Sequence, residues 1–204
     1  MHMDKHTIIS VGRQFGSGGK SVAELLGSKL GITVYDDELI AKAAEQSGFS
    51  PEIFRKSDEN KHIFSLGSLF SSNRFGSFTQ NSIGESSLFK IQSDVIRDIA
   101  QKGDAIFVGR ASDYILRDMD CLDVFICAPI AARKARVAAR LGVSETEAER
   151  LIEKKDKGRA DYYNFFTFSH WGVASNYDLC VDSSVLGVEG TADFIIDFLN
   201  RKNG

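Results

Sequence analysis

A glycine-rich turn carries the residues whose types and spacing point most directly to chemistry. The turn follows an apolar, β-branched run that ends at Val11, and it precedes an apolar repeat with helical spacing. Glycines let backbone amides curl around an oxyanion, and the amino terminus of the next helix adds partial positive charge. A lysine there can reach the β- and γ-phosphates of a nucleotide, and a following hydroxyl can ligate Mg²⁺. The turn therefore predicts a cradle for a nucleoside triphosphate, built from Gly16, Ser17, Gly18, Gly19, Lys20 and Ser21.

The match to the strict P-loop pattern is incomplete, because Gln14 stands where that pattern has glycine. One alternative is a structural glycine turn with a solvated lysine. A second alternative is a dinucleotide site, since Asp36 and Asp37 end the next apolar run, where a ribose-binding acid would fall. Against the dinucleotide site, Ser21 occupies the place of the third glycine, and Lys20 has no role in that scheme.

Bulk properties predict one globular domain over residues 1–204. The hydrophobic content of 43% is ordinary, and a net charge of -3 gives no support for nucleic-acid or membrane binding. No apolar run approaches the roughly 20 residues that a membrane-spanning helix needs. The amino terminus lacks a signal-peptide core, and the three cysteines lack metal-ligand spacing. We therefore expect a cytoplasmic protein with small-molecule partners.

The elements that must position the glycine turn alternate between strand and helix. The expected strands are Ile8–Val11, Ile32–Tyr35, Ala105–Val108, Leu122–Cys127 and Asp178–Val181. The expected helices are Lys20–Leu30, Glu38–Ser47, Ser86–Gln101, Ala111–Leu116, Pro129–Leu141, Ser144–Tyr163 and Val188–Leu199. This alternation predicts a doubly wound α/β domain with a parallel sheet, whose ligands bind beyond the carboxyl ends of the strands.

A polar, phenylalanine-containing stretch over residues 56–85 interrupts this alternation. Connections of that length are usually functional or disordered, and the phenylalanines argue against plain disorder. We expect a mobile flap over a substrate. A dimer contact and disorder are the alternatives.

Several arginines could hold phosphates from other directions. Arg110 follows an apolar strand and Gly109, and its planar fork can grip a phosphate. Arg133 and Arg136 lie on one helical face, and Arg159 ends a cationic stretch in which Gly158 allows a break in the helix. Such a stretch is typical of a lid that excludes water. The alternative in each case is a salt-bridged surface, with Glu145, Glu147 and Glu149 as partners of the arginine face.

The chain resembles the cytidylate kinase-like family of P-loop nucleoside monophosphate kinases. The segments that carry the resemblance are ISVGRQFGSGGKSVAELLGSKLG, VYDDELI, GDAIFVGRASDYIL, VFICAPIAARKARV, DKGRADYY and YDLCVDSSVLGVEG. The resemblance implies a three-layer α/β/α sandwich with a five-stranded parallel sheet, an acceptor-binding insertion over 36–90 and a lid over 150–170. It also implies transfer of the ATP γ-phosphoryl group to CMP or dCMP with Mg²⁺. A kinase for another small acceptor, and a non-catalytic nucleotide-binding regulatory protein, remain open, as does a homodimer.

The resemblance also assigns roles to individual residues. The expected catalytic residues are Lys20, Arg110, Arg133 and Arg159. The expected ATP-binding residues are the turn from Gly16 to Ser21 and Arg136, with Ser21 as the metal ligand. The expected acceptor-binding residues are Asp36 and Arg110. Independently of the resemblance, Gln92, or the Asn and Ser residues of the 56–85 stretch, are candidates for contacts with the acceptor. In bacterial cytidylate kinases an acidic residue precedes the Gly-Arg pair, whereas this chain has Val108 there. Asp36 is a hypothetical substitute for that carboxylate.

Overall fold

Five parallel strands form the centre of the molecule. In the computed structural model, which describes residues 6–46 and 82–203, the strands are Ile8–Arg13 (β1), Val34–Tyr35 (β2), Ala105–Val108 (β3), Cys121–Cys127 (β4) and Leu179–Asp182 (β5). Their order across the sheet is β2-β3-β1-β4-β5. The fold expected from the sequence, an α/β sandwich around a five-stranded parallel sheet, is therefore confirmed.

The sheet is buried on both faces because alternate residues of its strands feed two separate apolar layers. Ile9 and Val11 of β1 pack on one side, together with α1 and the last helix. Ile8 and Phe107 point to the other side, against the helices on either side of β3. Near-continuous apolar strands of this kind are typical of parallel sheets that are covered on both faces.

Helices cover both faces. They are Gly19–Leu30 (α1), Asp37–Gln46 (α2), Ser82–Lys102 (α3), Ser112–Ile115 (α4), Ile130–Leu141 (α5), Glu145–Thr167 (α6) and Ser183–Asn203 (α7). The last of these is interrupted at Gly187, where φ is 68° and ψ is -179°. Ser144 caps α6 by accepting a hydrogen bond from the Glu147 amide at 3.2 Å, as its position in the sequence predicts. The flap expected over 56–85, and most of the insertion expected over 36–90, lie outside the described residues.

Helix α6 is not broken at Gly158, where the sequence allows a break, and it runs through that residue as the expected helix Ser144–Tyr163 does. Helix α6 continues for 23 residues, and Gly158 is buried within it. A helical glycine costs about 1 kcal/mol relative to alanine. Burial of Ile152 on one side of Gly158 and of Tyr163 on the other outweighs that cost, because both pack on the body of the protein only if the helix stays continuous.

The topology brings two glycine-containing turns to one edge of the sheet. Strand β1 lies between β3 and β4, with Val11 opposite Val108 and Gly12 opposite Phe125. The chain therefore leaves β1 at the point where the strand order reverses. Ligands of open α/β sheets bind at such a position.

Candidate active site

The glycine-rich turn from Gly16 to Ser21 has the backbone geometry of an anion cradle. Gly16 and Gly18 adopt left-handed conformations with φ of 81° and 83°, which an L side chain disfavours. Gly18 is the N-cap of α1, and no side chain caps that helix. Among the described residues, none accepts a hydrogen bond from the amides of Gly16, Gly18, Lys20 or Ser21. These free amides at a helix amino terminus fit a phosphate tail.

Gln14 holds this turn in place, although the strict motif has glycine at that position. Its backbone N–H donates to the Ile126 carbonyl at 3.0 Å, and its side-chain oxygen accepts from the Ala128 backbone N–H at 3.1 Å. The Gln14 carbonyl in turn accepts from the Ser17 hydroxyl at 2.9 Å. The departure from the motif therefore ties the turn to the end of β4.

Two further contacts anchor the carbonyl groups of the turn. Arg136 donates to the Gly16 carbonyl at 2.6 Å, and the Ser183 hydroxyl donates to the Ser17 carbonyl. Because Arg136 binds the protein backbone here, its guanidinium supports the turn from the outside. The expectation that it binds ATP directly stays a prediction.

Lys20 lies on the outer side of the turn. Its Nζ donates to Asp36 Oδ2 at 2.9 Å, and its side chain is 62% exposed. This bond raises the pKa of Lys20. Burial would raise the pKa of Asp36, but the bonds from Lys20 and the Leu39 amide outweigh it, so that pKa is lowered. Lys20, Asp36 and Val108 line one groove, so the hypothetical substitute carboxylate faces the wall where the acidic residue is missing.

Arg110 is buried at the end of β3. Its side chain is only 6% exposed, and its Nε donates to Asp37 Oδ1 at 2.8 Å. Arg110 and Ala111 both have positive φ, 60° and 53°, directly after Gly109. Left-handed backbone at consecutive non-glycine residues stores strain, and such strain clusters at functional sites. The structure therefore holds the Arg110 guanidinium in a constrained position at the edge of the sheet.

Arg133 and Arg159 meet at Asp156 of α6. Arg133 Nη1 lies 2.5 Å from Asp156 Oδ2, and Arg159 Nη1 lies 3.8 Å from Asp156 Oδ1. The Phe15 amide donates to Asp156 at 2.6 Å. The alternative in which Glu145, Glu147 and Glu149 pair with the arginine face therefore does not hold for Arg133, because α6 folds back and places Asp156 against it.

Arg159 reaches the carboxyl end of β1, where it donates to the Arg13 carbonyl at 3.0 Å. Burial, followed by repulsion from Arg13, lowers the pKa of Arg159 to about 9. Lys157 points elsewhere, and its Nζ pairs with Asp161 at 2.8 Å on the exposed side of α6. Of the cationic stretch, Arg159 is thus the residue that α6 directs toward the glycine-rich turn.

A cleft next to this turn combines guanidinium groups with aromatic rings. Its lining residues are Gly12, Arg13, Asp37, Gly109, Arg110, Ala111, Asp113, Arg159, Tyr162, Tyr163, Trp171 and Tyr177. Asp113 accepts a hydrogen bond from the Tyr163 hydroxyl at 2.6 Å, and burial raises the pKa of its carboxyl. Burial also raises the pKa of Tyr162 to about 12, so that hydroxyl stays protonated at neutral pH.

Gln92 touches the same aromatic group from α3. Its side-chain oxygen accepts from the Tyr162 hydroxyl at 2.8 Å, and the residue is 1% exposed. The Gln92 Nε2 amide group has no hydrogen-bond partner among the residues that the structure describes. A buried, unpaired donor is costly and therefore fits a position that a ligand completes.

The structure thus brings Arg110 and Arg159 together in the lining of the cleft, and Gln92 is bonded to Tyr162, another lining residue. Lys20 and Asp36 lie in the separate groove. Sequence reasoning missed Arg13, Asp156 and the aromatic residues of the cleft. Arg13 could have been noticed because it ends β1 directly before the glycine-rich turn. Of the aromatic residues, Tyr162 and Tyr163 follow the cationic stretch in the run DYYNFF, whereas Trp171 and Tyr177 lie further along the chain.

The residues fit a magnesium nucleotide. The turn offers free amides to phosphate, and the Ser21 hydroxyl and the Asp36 carboxylate are oxygen donors of the kind that Mg²⁺ prefers. In the described part of the chain, no cluster of three or more histidine, cysteine or acidic residues could hold a metal alone. Mg²⁺ commonly binds through one or two carboxylates plus phosphate oxygens, so a larger cluster is not required.

Comparisons with known proteins agree with this geometry. The model of the cytidylate kinase-like family matches residues 8–185. A cytidylate kinase from Sulfolobus acidocaldarius is 25% identical over 192 residues, which cover 92% of this chain and 91% of that protein. The crystal structure of an uncharacterized protein from Eubacterium ventriosum is similar, with a TM-score of 0.71, 27% identity and coverage of 95% and 98%.

A shikimate kinase from Bacteroides thetaiotaomicron shares the fold, with a TM-score of 0.53, 13% identity and coverage of 95% of this chain and 98% of that one. None of the helices in the described residues is both long and apolar enough to span a bilayer. The family match extends from β1 to the beginning of α7 and includes the glycine-rich turn, the Gly109-Arg110 pair and the arginines of α5 and α6. The chain therefore belongs to the cytidylate kinase-like family.

Proposed function

We propose that this chain is a nucleoside monophosphate kinase that transfers the γ-phosphoryl group of ATP to CMP or dCMP. The observation that carries the proposal is the position of the glycine-rich turn, with its free amides, beside a cleft that combines guanidinium groups and aromatic rings. The amides fit a polyphosphate tail, and the cleft fits a nucleotide with a flat base and an anionic phosphate. The relatives named cytidylate kinase support the choice of acceptor.

Phosphoryl transfer between nucleotides depends on positioning and on charge neutralisation. An oxygen of the acceptor phosphate forms a bond to the γ-phosphorus, and the bond from that phosphorus to the β–γ bridging oxygen breaks. ADP leaves with that electron pair. The acceptor oxygen is already ionised at neutral pH, so the site has no need of a general base on the protein.

Each side of the transfer has its own residues. The amides of Gly16 to Ser21 orient the donor phosphates, and Ser21 with Asp36 would hold Mg²⁺. Mg²⁺, when bound, neutralises charge on the donor phosphates. Arg110, kept in place by Asp37, orients the acceptor phosphate, and Gln92 with Tyr162 contacts the base.

Helix α6 gives this site a cover. In this function residues 150–170 form a lid that excludes water from the transferred group. Arg159 is the cation of the lid that lies at the end of β1. Cytoplasmic localisation, a homodimer and the acceptor-binding insertion over 36–90 stay predictions.

An assay of ADP release with ATP, Mg²⁺ and a panel of acceptors tests the proposal. The panel contains CMP, dCMP, UMP, AMP and small alcohols, and we expect turnover with CMP or dCMP. Turnover with an alcohol alone would contradict the nucleotide acceptor and support a kinase for another small molecule. ATP binding without turnover on any acceptor would support a nucleotide-binding regulatory protein, the alternative that Val108 favours because it leaves β3 without a terminal carboxylate.

A further inference from the structure

Resting on the proposed function, we propose that Arg13 is a catalytic residue that supplies the positive charge over the phosphate cradle. In this proposal the Arg13 guanidinium contacts the β- and γ-phosphates from the side that faces the acceptor. A P-loop motif ordinarily reserves that task for its lysine. Lys20 then has a different place, on the outer side of the turn with Asp36.

The first observation is the space beside Gly19, the first residue of α1. A Cβ atom on Gly19 would collide with Arg13 Cβ and lie 3.1 Å from Arg13 Cγ. The aliphatic part of Arg13 therefore occupies the volume into which a side chain from the start of α1 would project. A glycine is needed at position 19 because Arg13 fills that volume.

The second observation is the far end of the same side chain. A Cβ atom on Gly109 would overlap with Arg13 Nη1 and lie 3.0 Å from Arg13 Cζ. The guanidinium thus lies against the backbone directly before Arg110. Arg13 spans from the glycine-rich turn, where the donor fits, to the Gly109-Arg110 pair, where the acceptor phosphate fits.

The third observation is the balance of charge. Arg110, Arg133 and Arg159 each have a carboxylate oxygen within 4 Å, contributed by Asp37 or Asp156. For the Arg13 guanidinium, the described residues provide no carboxylate within that distance. Within 4 Å, the described ranges therefore offer two carboxylates to these four guanidinium groups, and Arg13, which contacts neither, lies beside the cradle.

The electrostatics of Arg13 agree with this surplus. Arg13 is partly buried. Burial lowers the pKa of its guanidinium, the Asp37 charge raises it, and the Arg110 charge lowers it. A guanidinium stays protonated in spite of such an environment. An anion beside the guanidinium would offset the free-energy cost of burying its positive charge. The phosphate tail of a nucleotide is the anion that the neighbouring amides fit.

Lys20 is less suited to the task in this structure. Its ammonium group is bonded to Asp36, lies 3.8 Å from Glu24 and is mostly in water. A hydrated ammonium that is already paired contributes little additional charge to a neighbouring phosphate. The groove that it lines is separate from the arginine-lined cleft.

Equilibrium binding and turnover of four variants test the assignment. The variants are Arg13→Met, Arg13→Lys, Lys20→Met and the exposed control Arg117→Met. Calorimetry measures the dissociation constants of inorganic tripolyphosphate and of ATP with Mg²⁺, and ADP release measures kcat. We expect Arg13→Met to weaken tripolyphosphate binding by about 10- to 100-fold and to lower kcat by about 100-fold or more.

The other variants test separately the charge, the planar geometry and the position of the cation that binds tripolyphosphate. Arg13→Lys should recover part of the tripolyphosphate affinity, because it restores the charge without the planar fork. Lys20→Met should weaken tripolyphosphate binding less than Arg13→Met does, and Arg117→Met should leave it unchanged. Loss of tripolyphosphate binding in Lys20→Met together with normal binding in Arg13→Met would overturn the assignment while leaving the proposed kinase intact.

Two variants at glycine positions provide a second test if Arg13→Met is poorly folded. Gly19→Ala should force the start of α1 and Arg13 apart, and so move the Arg13 side chain, while both cations stay in the sequence. Gly103→Ala is its control because a Cβ atom there meets open space. We expect weaker tripolyphosphate binding in Gly19→Ala alone, with circular dichroism and the thermal midpoint reporting on folding. Unchanged binding in folded Gly19→Ala would contradict the proposal. Failure of the wild-type protein to bind any nucleoside triphosphate would overturn the proposed function and the Arg13 assignment together.

Discussion

Arg110 Nε donates a 2.8 Å hydrogen bond to Asp37 Oδ1 and so joins the end of β3 to the first turn of α2. The bond orients a guanidinium that is only 6% exposed. We propose that the pair positions an acceptor phosphate.

Replacing Arg110 with alanine should affect the acceptor much more than ATP. We expect the KM for CMP to rise by about 10- to 100-fold, because a charged hydrogen bond is worth about 1.5–3 kcal/mol. The KM for ATP should change by less than about threefold on the same reasoning. Initial-rate kinetics with each substrate varied in turn provide the measurement, and Arg117→Ala is the exposed control. A larger rise in the KM for ATP would assign Arg110 to the donor side.

Replacing Asp156 with asparagine should destabilise the folded protein. Arg133 would lose its carboxylate partner in a mostly buried site, and the Phe15 amide would lose a charged acceptor. Breaking a buried ion pair on one side typically costs about 3–5 kcal/mol, and partial exposure places the expectation at about 3 kcal/mol. Urea unfolding gives the free energy of unfolding. The control Asp161→Asn, which breaks an exposed pair with Lys157, should change that free energy by less than about 0.5 kcal/mol. Equal effects of the two variants would contradict the role of Asp156.

Replacing Gln92 with leucine should reduce discrimination between acceptor bases. The change removes the oxygen that accepts a hydrogen bond from the Tyr162 hydroxyl, and it also removes the unpaired Nε2 donor. The side-chain volume is nearly conserved. We expect kcat/KM for CMP to fall by about tenfold relative to kcat/KM for AMP, the scale of one specific hydrogen bond. Ser93→Ala is the neighbouring control, since the Ser93 hydroxyl donates to the carbonyl of Phe89 in its own helix. An unchanged CMP-to-AMP ratio in Gln92→Leu would count against base recognition by this residue.

Asp123 on β4 predicts a pH dependence of stability that is independent of the active site. Burial is the largest of the effects that raise the pKa of Asp123 from 3.8 to about 6, and the negative charges of Asp113 and Asp178 act in the same direction. Its Oδ1 atom has no hydrogen-bond partner in the described ranges. Because the folded state holds this proton more tightly than the unfolded chain, the contribution of Asp123 to stability falls as the pH rises from about 4 through about 6.

Asp123→Asn tests this sign. The asparagine should leave stability at pH 4 little changed and increase it at pH 7.5, because the buried charge is gone. Urea unfolding of wild type and variant at both pH values gives the comparison, with exposed Asp118→Asn as the reference. A variant that is less stable than wild type at pH 7.5 would show that the carboxylate is compensated in the folded state.

Apolar runs predicted the strands because the sheet is buried on both faces, so its strands consist mainly of β-branched and other apolar residues. β3 has the expected bounds, whereas β2 is shorter than the expected Ile32–Tyr35. β2 pairs with β3 alone, at Val34 and Tyr35, so an edge position limits its ladder. Local propensity allows a break at Gly158, but packing on both sides of that residue keeps the helix continuous.

The sequence by itself determined the α/β architecture, the position of the glycine-rich turn and the family, since these depend on residue types at short separations along the chain. Tertiary structure alone decided which charges meet. Asp156 lies 23 residues after Arg133, and Asp37 lies 73 residues before Arg110, yet each acid contacts its arginine. Local patterns do not encode such pairs, because they form only when separate strand ends and helices converge on one edge of the sheet. For the same reason Arg13, next to the cradle in sequence, acquired its place between Gly19 and Gly109 only in the folded chain.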